Sequence, residues 1–280
     1  MPEITLPQGT IHYRDTGDGP PVVFVHGLLV DGTLWRKVTP LLEGAARCIV
    51  PDLPLGSHRQ AMSAQADLSP RGVAGLIGDF LAALDLEDVT LVGNDTGGLI
   101  SQLVALDHGE RVGRLVLTNC DCFDVFPPKE FVPMIKSAHV PGAVRAALQP
   151  MRAAAARRTT MAYGGLAREI PDDVTAAWVE PARTDAAVRG DLIRFMKAVD
   201  KSIAIEAAQR LPNLAIPVLI AWGQADRFFA RELGERLAAT IPNARLEPIA
   251  DARTFVAEDQ PEHLAKLIGG FVREGAAQTA

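Results

Sequence analysis

The sequence predicts an α/β chain: a doubly wound, mostly parallel sheet with a helical block inserted between two of its strands. Three observations predict it. Short β-branched apolar runs alternate with segments of helical periodicity. Four of those runs are nearly continuous in apolar residues, as strands covered on both faces are. The alternation then stops from about Cys122 to about Arg210, where only helical pieces occur.

The elements follow in order. "EITLPQGTIHYRDTG" alternates with a turn in its middle, which predicts an antiparallel hairpin at the sheet edge. Strands are predicted at Pro21–His26, Arg47–Asp52, Val89–Asn94, Arg114–Asn119, Pro217–Gly223 and Ala244–Ala250. Val73, Leu76, Ile77, Phe80, Leu81 and Leu84 fall on one helical face between the second and third of these. Leu264, Leu267, Ile268, Phe271 and Val272 do the same after Pro261, a proline suited to a first helical turn. Residues 1–121 and 211–280 therefore form the core, and 122–210 a helical lid, or cap. A block leaving and re-entering a parallel sheet at the carboxyl ends of its strands covers the place where such sheets bind ligands.

Composition excludes several classes. Among 280 residues 48% are apolar and 22% charged, and the net charge is -6, so neither nucleic acid nor an anionic membrane is an expected partner. No apolar run approaches the ~20 residues that span a bilayer, and "MPEITLPQGT" lacks the pattern of a signal peptide. Three cysteines, Cys48, Cys120 and Cys122, make no closed disulfide framework, which points to the cytoplasm. No metal cluster, phosphate loop or nucleotide fingerprint is visible, so no metal and no cofactor is expected. The basic run "RAAAARR", Arg152 to Arg158, reads as a solvated helix face. A lid rich in Ala, Leu, Met and Phe predicts an apolar, uncharged small-molecule substrate; Phe123, Phe126 and Phe131, where the lid leaves the sheet, are candidates to line the entrance and contact substrate, with hinge packing as the other reading.

"GNDTGG" marks the site. A strand must stop and a helix begin around Asp95, which forces the central residue into an unfavourable backbone conformation and requires small neighbours. The carboxylate then projects from the sheet at a helix N-terminus, whose partial charge is expected to lower its pKa. An ordinary helix-capping aspartate is the other reading of these residues. "FVHGLLVDGTLW" lets the Leu28 N–H face the same point as the Thr96 N–H, two donors forming an oxyanion hole. "AWGQADRFF" ends a later strand and brings Asp226 to the same sheet edge.

His26-Gly27, Gly93 to Gly98, Asp226 and "EDQPEHL", in this strand order, resemble the α/β-hydrolase fold over essentially the whole chain. Within it the chain is similar to the aspartate-nucleophile branch, the haloalkane dehalogenases and epoxide hydrolases. The resemblance implies that Asp95 attacks an sp³ carbon, that a histidine activates water against the resulting ester, and that Asp226 orients that histidine. Here the histidine position holds Thr254, in "DARTFVAEDQP", and threonine is no base near neutral pH. Among the other histidines, His58 on a loop at the correct sheet end and His139 in the lid are candidates to replace it or to touch substrate. A halide-cradling Trp would follow the nucleophile, where Thr96 stands; Trp35 and Trp222 sit where helices pack on the sheet. Lid tyrosines protonate the opening ring in epoxide hydrolases, which makes Tyr163 the candidate acid. Three readings stay open. One is an atypical hydrolase in which Asp226 activates water or shares a proton with Asp95. The second is a lyase, isomerase or cyclase using Asp95 as acid or base. The third is a binding protein that kept the pocket.

Overall fold

Strand β1 (Glu3–Leu6) turns back antiparallel into β2 (Gly9–Thr16), and β2 runs antiparallel to β4 (Arg47–Pro51). The rest of the sheet is parallel: β3 (Pro21–Val25), β5 (Val89–Asp95), β6 (Val112–Cys120), β7 (Val218–Gly223) and β8 (Ala244–Ile249). These assignments come from a computed structural model that describes residues 1–279. The eight strands lie in the order β1-β2-β4-β3-β5-β6-β7-β8. The edge hairpin and all six predicted strands are present.

This order positions the site. β3 has β4 on one side and β5 on the other, so the chain reverses its winding direction there. Loops leaving β3 and β5 diverge and open a crevice at their carboxyl ends. Leu28 leaves β3 and Asp95 ends β5.

Burial on both faces explains the apolar runs. In β3, Val23 and Val25 join the core beneath helices α1 (Pro70–Ala83) and α2 (Thr96–Asp107). Val22 and Phe24 join the opposite core, which holds Trp35 and the C-terminal helix. α1 begins as its sequence dictates: Ser69 accepts a hydrogen bond from the Gly72 N–H at 3.0 Å and Pro70 opens the first turn. β8 carries Pro248 and pairs with β7 only, so the missing donor falls on the free edge.

The segment between β6 and β7 is helical, with α3 (Val132–Ser137), α4 (Ala143–Leu148), single turns α5 (Ala154–Arg157) and α6 (Tyr163–Leu166), α7 (Asp172–Thr184), α8 (Ala186–Lys197) and α9 (Lys201–Arg210). Three further helices complete the chain: α10 (Arg231–Thr240), α11 (Val256–Asp259) and α12 (Pro261–Thr279). Two expectations change here. The predicted lid runs to residue 210, but Ala204 and Ala207 of α9 pack in the same core as α1 and α2. Asp200 caps α9 by accepting from the Ser202 N–H at 2.8 Å, so the return to the sheet layer is a new helix rather than a continuation of α8. The basic run is not wholly solvated either. Arg157 is buried and donates to the carbonyls of Met151, Arg152 and Asp172 and to Thr175 Oγ1, stitching α5 to α7. Four of its five donors find these acceptors because short helical turns leave carbonyls unpaired. Among the described residues no helix is long and apolar enough to cross a membrane.

Candidate active site

Asp95 has φ 55° and ψ -134°, a conformation that L side chains rarely adopt. Its carboxyl caps nothing on α2, which removes the helix-cap reading. The turn is possible because its neighbours are small: a Cβ on Gly97 would lie inside contact distance of the carbonyl oxygens of Val25 and His26. The main-chain N–H groups of Thr96 and Leu28 lie near the Asp95 carboxyl and favour its charged form. These are the two donors the sequence predicts for an oxyanion hole. Gly27 lies against the same carboxyl, and a Cβ there would fall on Asp95 Oδ2. Gly27→Ala should therefore suppress chemistry at Asp95 by roughly 100-fold or more, measured as the rate of covalent labelling, with a circular dichroism spectrum close to wild type.

The electrostatics differ from expectation. Asp95 is pushed up to about 7, chiefly by burial, with the Asp226 charge adding to the rise and the Thr96 and Leu28 N–H groups opposing it. The helix N-terminus does not prevail, because desolvation of a carboxylate in an apolar site outweighs a partial charge.

Asp226 follows β7, and burial raises its pKa against the hydrogen bonds it accepts. Its Oδ1 accepts from the Phe228 N–H at 2.9 Å, the Phe229 N–H at 3.3 Å and Thr254 Oγ1 at 3.0 Å. Thr254 thus makes the contact that the resemblance assigns to an imidazole. It is fully buried, and its carbonyl accepts from Asn94 Nδ2 at 2.6 Å, so the loop after β8 is tied to the strand that carries Asp95.

A cavity of about 410 Å³ opens above Asp95. Its floor is Leu28, Asp95, Thr96 and Asp121; its walls are apolar side chains of the helical segment, among them Phe126, Phe131, Ile135, Leu148, Phe195 and Met196. Neither Asp226 nor Thr254 contributes to this lining. The floor therefore comes from the ends of β3, β5 and β6, and the walls from the inserted helices.

Three sequence candidates lie elsewhere or are already engaged. His58 is buried away from the cavity, with Nε2 at 3.0 Å from Asp191 Oδ2, and Asp191 also accepts from the Met62 N–H and from Arg194. Its loop is at the correct end of the sheet, but α8 captures the ring. Phe123 has φ 54° and lies under the Arg236 guanidinium, 3.8 Å from ring centre to carbon, outside the cavity wall. Tyr163 lines the cavity, but its hydroxyl donates to the Leu29 carbonyl at 2.6 Å, so its proton is committed. Trp35 and Trp222 are fully buried in the core, as expected, and His139 is exposed. Among the described residues no histidine lines the cavity.

Asp121 escaped the sequence reading. It sits one residue beyond β6, its side chain is 1% exposed, and Thr96 Oγ1 donates to its Oδ2 at 3.1 Å. The signal that finds it is the one that found Asp226: an acid at the carboxyl end of a parallel strand, here next to the strand that carries Asp95.

Comparisons with known proteins agree with this architecture. The family model described as the alpha/beta hydrolase fold matches residues 20–261. Haloalkane dehalogenase 2 of Mycobacterium tuberculosis is 28% identical over 274 residues, covering 93% of this chain and 91% of its own. A cis-3-alkyl-4-alkyloxetan-2-one decarboxylase of Xanthomonas campestris is 32% identical over 278 residues, with coverage of 93% and 91%. The crystal structure of a haloalkane dehalogenase from Bradyrhizobium elkani superposes with a TM-score of 0.81 at 18% identity, covering 98% of this chain and 97% of that one, and shares the fold. The strand order, the strained turn at Asp95 and the family match together establish that the chain belongs to the α/β-hydrolase fold family.

Proposed function

We propose that this enzyme opens a strained oxygen ring, of epoxide type, on a small apolar substrate, with Asp95 as the nucleophile. One observation carries the reading: a carboxyl on a strained turn at the floor of an apolar cavity, with two main-chain N–H groups beside it. In the first step an Asp95 oxygen attacks an sp³ ring carbon, the C–O bond breaks, and an ester forms. In the second, water attacks the ester carbonyl, and the Leu28 and Thr96 N–H groups hold the oxyanion. A ring oxygen is favoured over halide as the displaced atom because, among the described residues, no tryptophan lines the cavity. The walls suit an uncharged hydrocarbon skeleton, since an unpaired charge there would be desolvated without compensation.

The test is 1,2-epoxyhexane in ¹⁸O-labelled water. The expected results are a transient adduct on the Asp95 peptide, then a diol, with ¹⁸O accumulating in the Asp95 carboxyl over repeated turnovers. Absence of adduct, diol and label together would overturn the reading.

A second reading is favoured by the cavity's lack of an imidazole and by the decarboxylase relative. On an oxetan-2-one, Asp95 would attack the ring carbon bearing oxygen and release a carboxylate still attached to the skeleton. Loss of CO₂ would then form the C=C bond as the Asp95 ester C–O bond breaks. Asp95 returns unchanged and no water is consumed. A cis-3,4-dialkyloxetan-2-one would give alkene without ¹⁸O in Asp95, whereas hydrolysis would give a β-hydroxy acid with it.

A further inference from the structure

The reaction proposed above needs a proton for the departing ring oxygen and a base for the water that follows. Of the groups expected to supply them, one is occupied and the other does not face the cavity. Tyr163 gives its proton to the Leu29 carbonyl, while Asp226 accepts three hydrogen bonds on Oδ1 and, although its Oδ2 is unpaired, lies outside the cavity wall.

We propose that Asp121 is a second catalytic residue, which protonates the ring oxygen as Asp95 attacks and then accepts a proton from water as the ester is cleaved. The inference rests on the reading of Asp95 as nucleophile. Four observations support it. Asp121 forms part of the cavity floor beside Asp95, one residue past the end of the neighbouring strand. Thr96 follows Asp95 directly, its N–H near the Asp95 carboxyl, and its Oγ1 donates to Asp121 Oδ2 at 3.1 Å, which ties the second carboxyl to the turn that carries the first. The main chains are joined as well, since the Asp121 N–H donates to the Asp95 carbonyl at 3.4 Å. Finally, Asp121 Oδ1 is buried and has no hydrogen-bond partner.

A buried carboxylate with one oxygen unpaired is costly in its charged form. The titratable groups around Asp121 do not relieve that cost. They are Asp95 on β5, Glu130 and Tyr163 on the cavity wall, and the thiols of Cys120 and Cys122 on either side. Among the described residues no basic side chain lines the cavity. Burial and the nearby Asp95 charge accordingly hold Asp121 well above the usual carboxylate range. Two adjacent carboxyls in such a site share one proton, and the site starts with Asp95 ionised and Asp121 neutral.

The proton balance closes. Asp95 attacks carbon, the ring C–O bond breaks, and the Asp121 proton passes to the ring oxygen, leaving an Asp95 ester and an Asp121 carboxylate. Water adds to the ester carbonyl as Asp121 takes one of its protons. Collapse of the tetrahedral intermediate breaks the acyl C–O bond, and the departing alkoxide takes the proton of the newly formed Asp95 acid. Asp95 is again ionised and Asp121 again neutral, with one water consumed.

Asp121→Asn keeps the shape and can still hydrogen-bond, but it cannot transfer a proton. Two probes separate its roles: 1,2-epoxyhexane, whose departing oxygen needs a proton, and 1-iodohexane, whose departing iodide does not. The variant should open the epoxide at least about 100-fold more slowly, while labelling of Asp95 by the iodide stays within about 3-fold of wild type. Equal losses on both probes would make Asp121 structural and overturn the proposal, as would no loss on either. Wild-type protein inert to both probes would overturn the Asp95 reading itself, and this inference with it. If the variant does not fold, the wild-type pH profile decides. The ratio of epoxide to iodide rates should fall toward alkaline pH as Asp121 loses its proton, and a flat ratio would overturn the assignment.

Discussion

Asp95→Asn is expected to lower ring opening by at least about 10⁴-fold, to the limit of detection by product analysis, because the amide cannot form the ester. The same substitution should raise stability in alkaline solution. In the folded protein Asp95 titrates at about 7, above its ordinary 3.8. The native state therefore binds a proton more tightly than the unfolded chain does. That contribution is complete below about pH 4 and is lost as pH rises through 7. At ~1.4 kcal/mol per unit the loss has an upper bound of about 4 kcal/mol, reduced by any water that the cavity admits. Asn carries no such dependence, so the variant's gain in melting temperature over wild type should grow from pH 4 to pH 8, by roughly 2–4 °C for each kcal/mol recovered. Equal melting curves at both pH values would mean that Asp95 is not desolvated. In the wild type, labelling of Asp95 should also accelerate as pH rises through 7, since only the carboxylate attacks.

Thr254→His carries the other large effect. Thr254 Oγ1 lies 3.0 Å from Asp226 Oδ1, so an imidazole at this position meets a carboxylate already aimed at it. Asp226 would orient the ring and stabilise its charged form, leaving the second nitrogen to activate water. Breakdown of the Asp95 ester should then accelerate by roughly 10²–10⁴-fold, seen as a shorter adduct lifetime by intact mass. The larger ring enters a fully buried position, and a stability cost of about 1–3 kcal/mol is expected. An unchanged adduct lifetime in a folded variant would show that ester breakdown is not base-limited. That result would favour the decarboxylative reading, which has no hydrolytic step.

Much of this architecture is legible in the sequence because it is local. β-Branched runs mark the strands, Pro70 and Pro261 open helices, and the glycines around Asp95 announce a turn that only small residues permit. Leu28, Thr96 and the partnership of Thr254 with Asp226 follow from strand order. What stayed hidden depends on distant meetings. His58 is held by Asp191, 133 positions away, and no periodicity in the loop reveals that. Tyr163 has the chemistry of an acid, but the Leu29 carbonyl, 134 positions away, takes its proton. Asp121 lies between two cysteines at a strand end, where the eye weighs thiols against metal sites. Its importance comes from Thr96, 25 residues earlier. The Asp95 pKa departs from the sequence expectation for a related reason: the helix terminus is visible in sequence, whereas the apolar roof that desolvates the carboxyl is assembled from residues 126 to 199.

The roof is fastened unevenly. α7 is bolted to the sheet side, with Trp178 Nε1 donating to Thr33 Oγ1 at 2.7 Å and the Trp178 carbonyl accepting from Ser57 Oγ at 2.6 Å. α8 is held through Asp191. By contrast, among the described residues no side-chain hydrogen bond or ion pair links 132–148, the stretch carrying α3 and α4, to any other element. It rests on Ala182, Leu192 and Met196 through aliphatic contacts alone. Such contacts slide and re-form without leaving a polar group stranded. Molecules should therefore come and go past α3 and α4, and the rate of that exchange should depend on how greasy those two helices are.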